Sequence, residues 1–166
     1  MEVRIKKLDK NAIIPAYATA GSAGMDIVAT SVKIDNEGNF VYGTGLAFEI
    51  PKGYVGLLFP RSSNTKKDLV LLNSVGVLDS DYRGEVTFKY RPTINTINLL
   101  SVWWQKCVLR RKELAPNIYN FSRNIYEVGD RIGQIIIVKH PYIEFIESDE
   151  LSKTKRGTGG YGHTGR

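Results

Sequence analysis

Short runs of apolar and β-branched residues recur along the 166-residue chain, and many of them alternate with polar residues. Strict alternation is typical of a strand with one buried and one exposed face. Gly, Pro, Asn and Asp separate the runs, which indicates tight turns between short strands. The predicted strands lie in the runs VRIKKL, MDIVAT, GLAFEI, YVGLLF, DLVLL, EVTFKY, RIGQIIIV and YIEFIE. The pattern predicts an all-β fold, a sandwich or a barrel.

One long stretch, from Arg91 to about Asn124, breaks this pattern. Several of its apolar residues fall roughly on one side of a short helix, and Pro116 would end that helix. The run LLSVWW within it is equally consistent with a strand. The helix therefore remains one of two alternatives.

Composition narrows the class of protein. A chain of 166 residues that is 42% hydrophobic and 24% charged suggests a single water-soluble domain with a real core.

The N-terminus MEVRIKKLDK has no apolar signal segment, and the longest apolar run, Ile135 to Val138, is too short to span a bilayer. We therefore expect no segment of the chain to span a membrane. The single cysteine, Cys107, cannot form an internal disulfide, which suits a reducing cytoplasm. The net charge of +6 favours an anionic partner without choosing among nucleic acid, nucleotide and membrane surface.

The C-terminal segment changes in composition. From about Glu150 it is rich in Lys, Thr and Gly, and it closes with RGTGGYGHTGR. This predicts a β domain over residues 1–149 and a flexible arm over residues 150–166. Ordering a glycine-rich arm is entropically costly, so we expect it to order only on a multiply charged ligand.

Five stretches place charged or hydroxyl-bearing residues at a predicted strand edge, and all of them except PRSSNT also contain glycine: AGSAGMDI, PRSSNT, NSVGVLDSDYRGE, GDRIGQ and RGTGGYGHTGR. Glycine lets the backbone approach a ligand closely and leaves N–H groups free to donate to anions. Arg61, Arg131 and Arg156 carry planar, forked donors suited to phosphate. Any one stretch is equally explained as a turn with an incidental arginine, but five of one character favour a ligand site.

The third stretch is the most informative. It predicts a hairpin whose tip carries Asp79, Asp81 and Tyr82. Asp79 ends an apolar run, so we expect a partly desolvated carboxylate that can act as a general base toward water. Asp81 is better explained as a turn residue that bonds nearby N–H groups or Arg83. Tyr82 either packs its flat face on a sugar or fills the sheet.

Taken together, the five stretches resemble the five ordered motifs of the trimeric dUTPase family, from Ala20 to the C-terminus. The resemblance implies a jelly-roll-like distorted β-barrel, with an inserted segment, residues 91–124, before the fourth motif. It implies a homotrimer with shared active sites that hydrolyses dUTP to dUMP and pyrophosphate with Mg²⁺. No membrane partner and no direct contact with nucleic acid are expected.

By motif position, the resemblance also implies roles for individual residues. Asp79 would orient the attacking water and contact the 3′-hydroxyl, while Tyr82 would pack under deoxyribose. Asp26 would support the water shell of the metal, which the phosphates mainly hold. The uracil edge would be read by Asn73 and the backbone of Gly76, Val77 and Leu78. The phosphates would be met by Arg61, Ser62 and Ser63 of a neighbouring subunit and by Gln134.

The same resemblance assigns the arm a role in closing a neighbour's active site. Tyr161 would stack on uracil, Arg156 would meet the γ-phosphate, and Gly162, His163 and Thr164 would face phosphate oxygens. His163 fits a phosphate donor better than a general acid–base group.

The chain departs from the family pattern in three places. Gly133 replaces the usual alanine of the fourth motif, and Tyr161 replaces a common phenylalanine. The insertion either packs on the barrel rim or offers a surface to a protein partner. Two alternatives remain at this point: a dCTP deaminase, which shares the fold, and a regulator that keeps the fold and binds a protein through the insertion.

Overall fold

The computed structural model describes residues 1–93 and 124–160, which form short β-strands and one 3₁₀ helix. All strand pairings among them are antiparallel. The strands are β1 (Arg4–Lys7), β2 (Met25–Val28), β3 (Ser31–Ile34), β4 (Phe40–Gly43), β5 (Leu46–Glu49), β6 (Tyr54–Phe59), β7 (Leu69–Leu71), β8 (Gly76–Leu78), β9 (Thr87–Pro92) and β10 (Arg131–Lys139), and the 3₁₀ helix is Ser62–Lys66.

Two four-stranded sheets enclose the core. One has the order β2-β10-β6-β8 and the other the order β3-β4-β9-β7, while β1 and β5 form a separate two-stranded ribbon. Both sheets contribute buried apolar side chains to a single cluster. Burying one face of each antiparallel sheet against the other is the arrangement that sandwiches and jelly rolls share. The all-β prediction is confirmed.

Three tyrosines occupy the middle of this core. The rings of Tyr42 and Tyr90 meet edge to face with centroids 6.0 Å apart, and the Tyr126 centroid lies 5.6 Å from that of Tyr90. Burial raises the pKa of Tyr42 to about 12, so its hydroxyl stays protonated at neutral pH. It donates to the Tyr126 carbonyl at 2.9 Å, and the Tyr90 hydroxyl donates to the Ile132 carbonyl at 2.6 Å. The core therefore satisfies the polar ends of its largest residues.

All of the predicted strands form except one. The run YIEFIE, residues 142–147, is not a strand in the protomer, and the side chains of Tyr142 and Phe145 are 94% and 93% exposed. A strand needs a hydrogen-bonding edge beside it, and this segment pairs with none of the described strands. The predicted helix between Arg91 and Asn124 falls on residues 94–123, outside the described part of the chain.

The predicted hairpin at the third motif is wrong. Strand β8 pairs with β6 in one sheet, whereas β9, the next strand, pairs with β4 and β7 in the other. Residues 79–86 therefore connect two sheets. Turn chemistry predicts only that the chain changes direction here. The partner of each strand is set by which sheet buries its apolar face, and β8 buries Gly76 and Leu78 beside β6.

Packing explains why Gly133 stands where the fourth motif usually has alanine. A Cβ atom at this position in β10 would lie 2.5 Å from Cζ of Phe88 and 3.0 Å from the Phe59 carbonyl oxygen. Phe88 is buried, and its ring lies stacked at 6.4 Å from that of Tyr90. The phenylalanine ring therefore fills the space that an alanine methyl group would need.

We predict that Gly133→Ala destabilises the protein by about 1–3 kcal/mol, because the added methyl group overpacks the core against Phe88. Denaturant unfolding at fixed protein concentration measures this cost. The matched test is Phe88→Leu, which removes ring atoms that the new methyl group would meet. The double variant should be more stable than the sum of the two single effects, and strict additivity would contradict the packing argument.

Candidate active site

Residues from three predicted motifs meet around one carboxylate. Strand β10 places Gln134 opposite Asp26 of β2 on one side and opposite Phe59 of β6 on the other. Arg61 lies two residues after the end of β6, and its Nε donates to Asp26 Oδ1 at 2.6 Å. Arg131 donates from Nη1 to Asp26 Oδ2 at 3.2 Å. We call Asp26, Arg61, Ser63, Arg131 and Gln134 the Asp26 cluster.

The charge balance of the Asp26 cluster suits an anion. Two guanidinium groups share one carboxylate, which leaves one net positive charge. The Asp26 side chain is 25% exposed, whereas that of Arg131 is 59% exposed and presents donors to solvent. Arg61 also donates from Nη1 to Ser63 Oγ at 3.1 Å. Asp26 therefore orients forked donors that remain available to a phosphate chain.

Gln134 is held by the same strands. Its Nε2 donates to the Pro60 carbonyl at 3.1 Å, which fixes the side chain beside the start of the second motif. Gly24 of the first motif makes room for it, because a Cβ there would lie 2.5 Å from Gln134 Oε1. A side chain at position 24 would therefore displace the end of the Gln134 side chain from this position. Sequence reasoning did not single out Gly24, since this close approach arises only from the register of β2 on β10.

A second group of predicted residues lines a cavity of about 180 Å³ beside β8, which we call the β8 pocket. Asp79 is exposed at the end of β8, so the expected desolvation of its carboxylate is not found in the protomer. The described residues that line the pocket include no Arg or Lys. They are Leu58, Asn73, Gly76, Val77, Leu78, Asp79, Tyr82, Glu85, Val86 and Thr87.

Tyr82 lies across its own turn. Its hydroxyl donates to the Glu85 carbonyl at 3.1 Å, and the ring sits where a Cβ of Gly84 would stand. The ring is anchored at its hydroxyl end, and Tyr82 lines the β8 pocket. The sequence suggested a bond between Asp81 and Arg83. Arg83 instead donates to the carbonyls of Ser80 and Tyr82.

The structure does not bring the two groups together within one protomer. Strands β2 and β8 are opposite edges of one sheet, with β10 and β6 between them. Three strand spacings of about 4.8 Å amount to roughly 14 Å. Leu78 pairs with Gly56 while Gln134 pairs with Phe59, so Asp79 also leaves the sheet at the other end of β6.

Part of the arm is described. Arg156 is exposed and donates from Nε to the Gly159 carbonyl at 2.9 Å, within the arm itself. The remaining predicted arm residues, Tyr161, Gly162, His163 and Thr164, lie outside the described residues. Ser62 is exposed at the start of the 3₁₀ helix.

Residues 1–93 and 124–160 contain no group of three or more His, Cys, Asp or Glu side chains that would cage a metal ion. Asp26 supplies one carboxylate beside the basic side chains, and Mg²⁺ is commonly held by one or two carboxylates together with waters and phosphates. Within the same residues, no helix has the length and apolar character needed to cross a membrane.

Comparison with known proteins decides the family. The dUTPase family model matches residues 10–99 and 110–165. The chain belongs to the dUTPase family. The deoxyuridine 5′-triphosphate nucleotidohydrolase of Hydrogenobaculum sp. (strain Y04AAS1) is 36% identical over 168 residues, covering 99% of each chain. The same-named protein of Nautilia profundicola is 37% identical over 170 residues, covering 100% of each.

The solved structures agree with this family. Staphylococcus bacteriophage 80alpha dUTPase, solved with dUPNHPP, matches with a TM-score of 0.73 and 27% identity, covering 99% of each chain. The predicted jelly-roll-like architecture of the dUTPase family is therefore confirmed.

We predict that Gly24→Ala displaces the Gln134 side chain and lowers kcat/KM for dUTP by about 10-fold or more, since small misplacements of positioning groups are costly. Steady-state pyrophosphate release measures the effect. Gly21→Ala is the matched control, because nothing lies within 4 Å of a Cβ built at that glycine of the same motif. An equal loss in both variants would contradict the Gln134 argument.

Proposed function

We propose that the chain is a dUTP diphosphatase that hydrolyses dUTP to dUMP and pyrophosphate. The observation that carries the proposal is a pair of complementary half-sites, the β8 pocket and the Asp26 cluster, in a chain of the dUTPase family. One half has the size and polarity for a base and sugar. The other has the charge for phosphates.

The β8 pocket suits a pyrimidine nucleoside. Among the described strands, β8 pairs only with β6, so its second edge has backbone N–H and C=O groups available to a flat polar ligand. Asn73 and the backbone of residues 76–78 would bond to uracil, and Tyr82 would pack under deoxyribose. A base with the wrong pattern would leave buried groups unpaired, at about 1–3 kcal/mol each.

The two halves would meet between subunits. The distance between Asp26 and Asp79 within one protomer supports a homotrimer in which one subunit supplies the β8 pocket and a neighbour supplies the Asp26 cluster. The exposed apolar side chains of residues 142–151 also support assembly, since so large an apolar segment is costly in water. A closed three-fold ring is a standard symmetric solution.

The proposed chemistry follows from these positions. Asp79 takes a proton from the attacking water and contacts the 3′-hydroxyl. Arg61, with Ser62, Ser63 and Gln134 of the neighbour, donates to the phosphate oxygens and offsets their developing charge. Mg²⁺, carried by the triphosphate with Asp26 supporting its water shell, would supply further neutralisation of that charge.

The arm would complete the site. Arg156 meets the γ-phosphate, Tyr161 stacks on uracil, and Gly162, His163 and Thr164 face phosphate oxygens. Closure excludes water and strengthens every charged contact inside the site. A glycine-rich arm loses much conformational freedom on closure, so the phosphate contacts must offset that cost.

We predict rapid pyrophosphate release from dUTP with Mg²⁺ and little from dTTP, dCTP or UTP. Asp79→Asn should lower kcat by about 100-fold or more, because it removes the general base. Asp81→Asn is the matched control, since it removes a neighbouring carboxylate that the proposal leaves without a role. Ammonia release from dCTP would favour a deaminase instead. Binding of dUTP without turnover would favour a regulator.

A further inference from the structure

The residues at the C-terminal end of the insertion, from Asn124 onward, lie against the 3₁₀ helix Ser62–Lys66 and the two residues that follow it. Asn124 donates from its backbone N–H to Asp68 Oδ2 at 2.9 Å, and Asp68 donates from its own N–H to the Asn124 carbonyl at 2.9 Å. The Asn124 side chain donates from Nδ2 to the Lys66 carbonyl at 2.7 Å. Asn124 therefore binds the C-terminal end of the 3₁₀ helix that begins at Ser62.

Tyr126, two residues further on, reaches the same helix from the core. Its side chain is nearly fully buried beside Tyr42 and Tyr90, and its hydroxyl donates to Asn64 Oδ1 at 3.1 Å. Asn64 lies inside the 3₁₀ helix, directly after Ser63. Burial raises the pKa of the Tyr126 phenol, so at neutral pH it remains a donor.

Asn64 makes hydrogen bonds through its backbone and through both ends of its side-chain amide. Its Nδ2 donates to the Leu69 carbonyl at 3.0 Å, and its backbone N–H donates to the Arg61 carbonyl at 2.9 Å. Because the side-chain amide is held on both ends, its orientation is defined by these partners. The Tyr126 hydroxyl thus reaches Arg61 through Asn64. It also lies beside the Ser63 side chain, whose hydrogen bond lowers the tyrosine pKa against the larger, raising effect of burial.

Lys67 adds a third link between the same two segments. Its ammonium donates to the Ile125 carbonyl at 2.8 Å and lies 4.9 Å from the centroid of the Tyr126 ring. A cation over an aromatic face is attracted by the ring and helps to hold it in place. Residues 124–126 and 64–68 are therefore joined along their length.

The 3₁₀ helix needs such support. It is five residues long, buries none of its own side chains, and has no side-chain hydrogen bond at its N-cap, Arg61. Short 3₁₀ helices have poor hydrogen-bond geometry and little stability of their own. Their position must come from neighbouring groups, and here residues 124–126 provide them.

We propose that Tyr126 is a positioning residue for phosphate binding: its hydroxyl holds Asn64, and through it Ser62 and Ser63, in the geometry that the triphosphate requires. The proposal rests on the proposed function for the identity of the ligand. It adds that Tyr126, a residue outside the five motifs, sets the affinity of the second motif for the triphosphate. The monophosphate, which lacks the β- and γ-phosphates, should depend much less on this link.

The test compares two ligands by calorimetry: the non-hydrolysable analogue α,β-imido-dUTP with Mg²⁺, and dUMP. Tyr126→Phe removes only the hydroxyl, and we expect about a 3- to 10-fold loss of affinity for the analogue, the usual range for one hydrogen bond. Affinity for dUMP should change by less than about twofold, since it makes no β- or γ-phosphate contacts to lose. Equal losses for the two ligands, or no loss for the analogue, would overturn the proposal.

Tyr90→Phe is the matched control. It also removes a buried tyrosine hydroxyl from the same aromatic cluster, here one that donates to the Ile132 carbonyl at 2.6 Å. The Ile132 carbonyl lies at a register shift of β10 and makes no hydrogen bond to the described 3₁₀ helix, so we expect its loss of a partner to leave that helix in place. We expect a lower melting temperature in both variants but a lower preference for the analogue over dUMP in Tyr126→Phe alone. The same loss of preference in Tyr90→Phe would overturn the proposal.

Asn64→Ala provides a second route to the same result. If the Tyr126 hydroxyl acts through Asn64, the double variant Tyr126→Phe with Asn64→Ala should lose no more affinity for the analogue than Asn64→Ala alone. Additive losses would show that Tyr126 acts by another path and would overturn the proposal. Failure of the unaltered protein to hydrolyse dUTP would instead contradict the proposed function, so the two failures are distinguishable.

Discussion

Backbone pairing of β10 with β2 on one side and β6 on the other is the constraint on which the rest of the structure depends. This pairing puts Gln134 between Asp26 and Phe59, and so brings together three motifs that are distant along the chain. It also brings other side chains close to two glycines. Gly24 admits the Gln134 side chain, and Gly133 admits the Phe88 ring on the core side. A one-residue shift in register would reverse which side chains face the core.

The same sheet separates the two kinds of chemistry that the proposed reaction needs. Its β2 edge carries two guanidinium groups bound to one carboxylate, and its β8 edge carries the pocket with Asp79. Within a protomer this keeps the phosphate-binding charges away from the general base. In the proposed trimer, a site shared between subunits would couple assembly to activity, because each subunit would supply only one half of it.

The tyrosine cluster connects the core to the surface of the Asp26 cluster. Tyr42 donates to the carbonyl of Tyr126, and Tyr126 donates to Asn64 beside Ser63. Each bond is made by a buried phenol, whose ionisation is suppressed by burial. These hydrogen bonds connect the core between the two sheets to the 3₁₀ helix Ser62–Lys66, which has no buried residues of its own.

The sequence by itself predicted the strand-rich class, most strands and the residue types of both half-sites, because alternation and glycine-bearing motifs are local signals. It did not predict that residues 76–78 pair with β6 rather than with β9, or that Gly24 and Tyr126 support Gln134 and Asn64. It also predicted a strand at residues 142–147 that the protomer does not form. These features depend on which distant segment lies beside each residue. Only the tertiary structure decided them, since strand pairing and close packing arise from contacts between residues far apart in the chain.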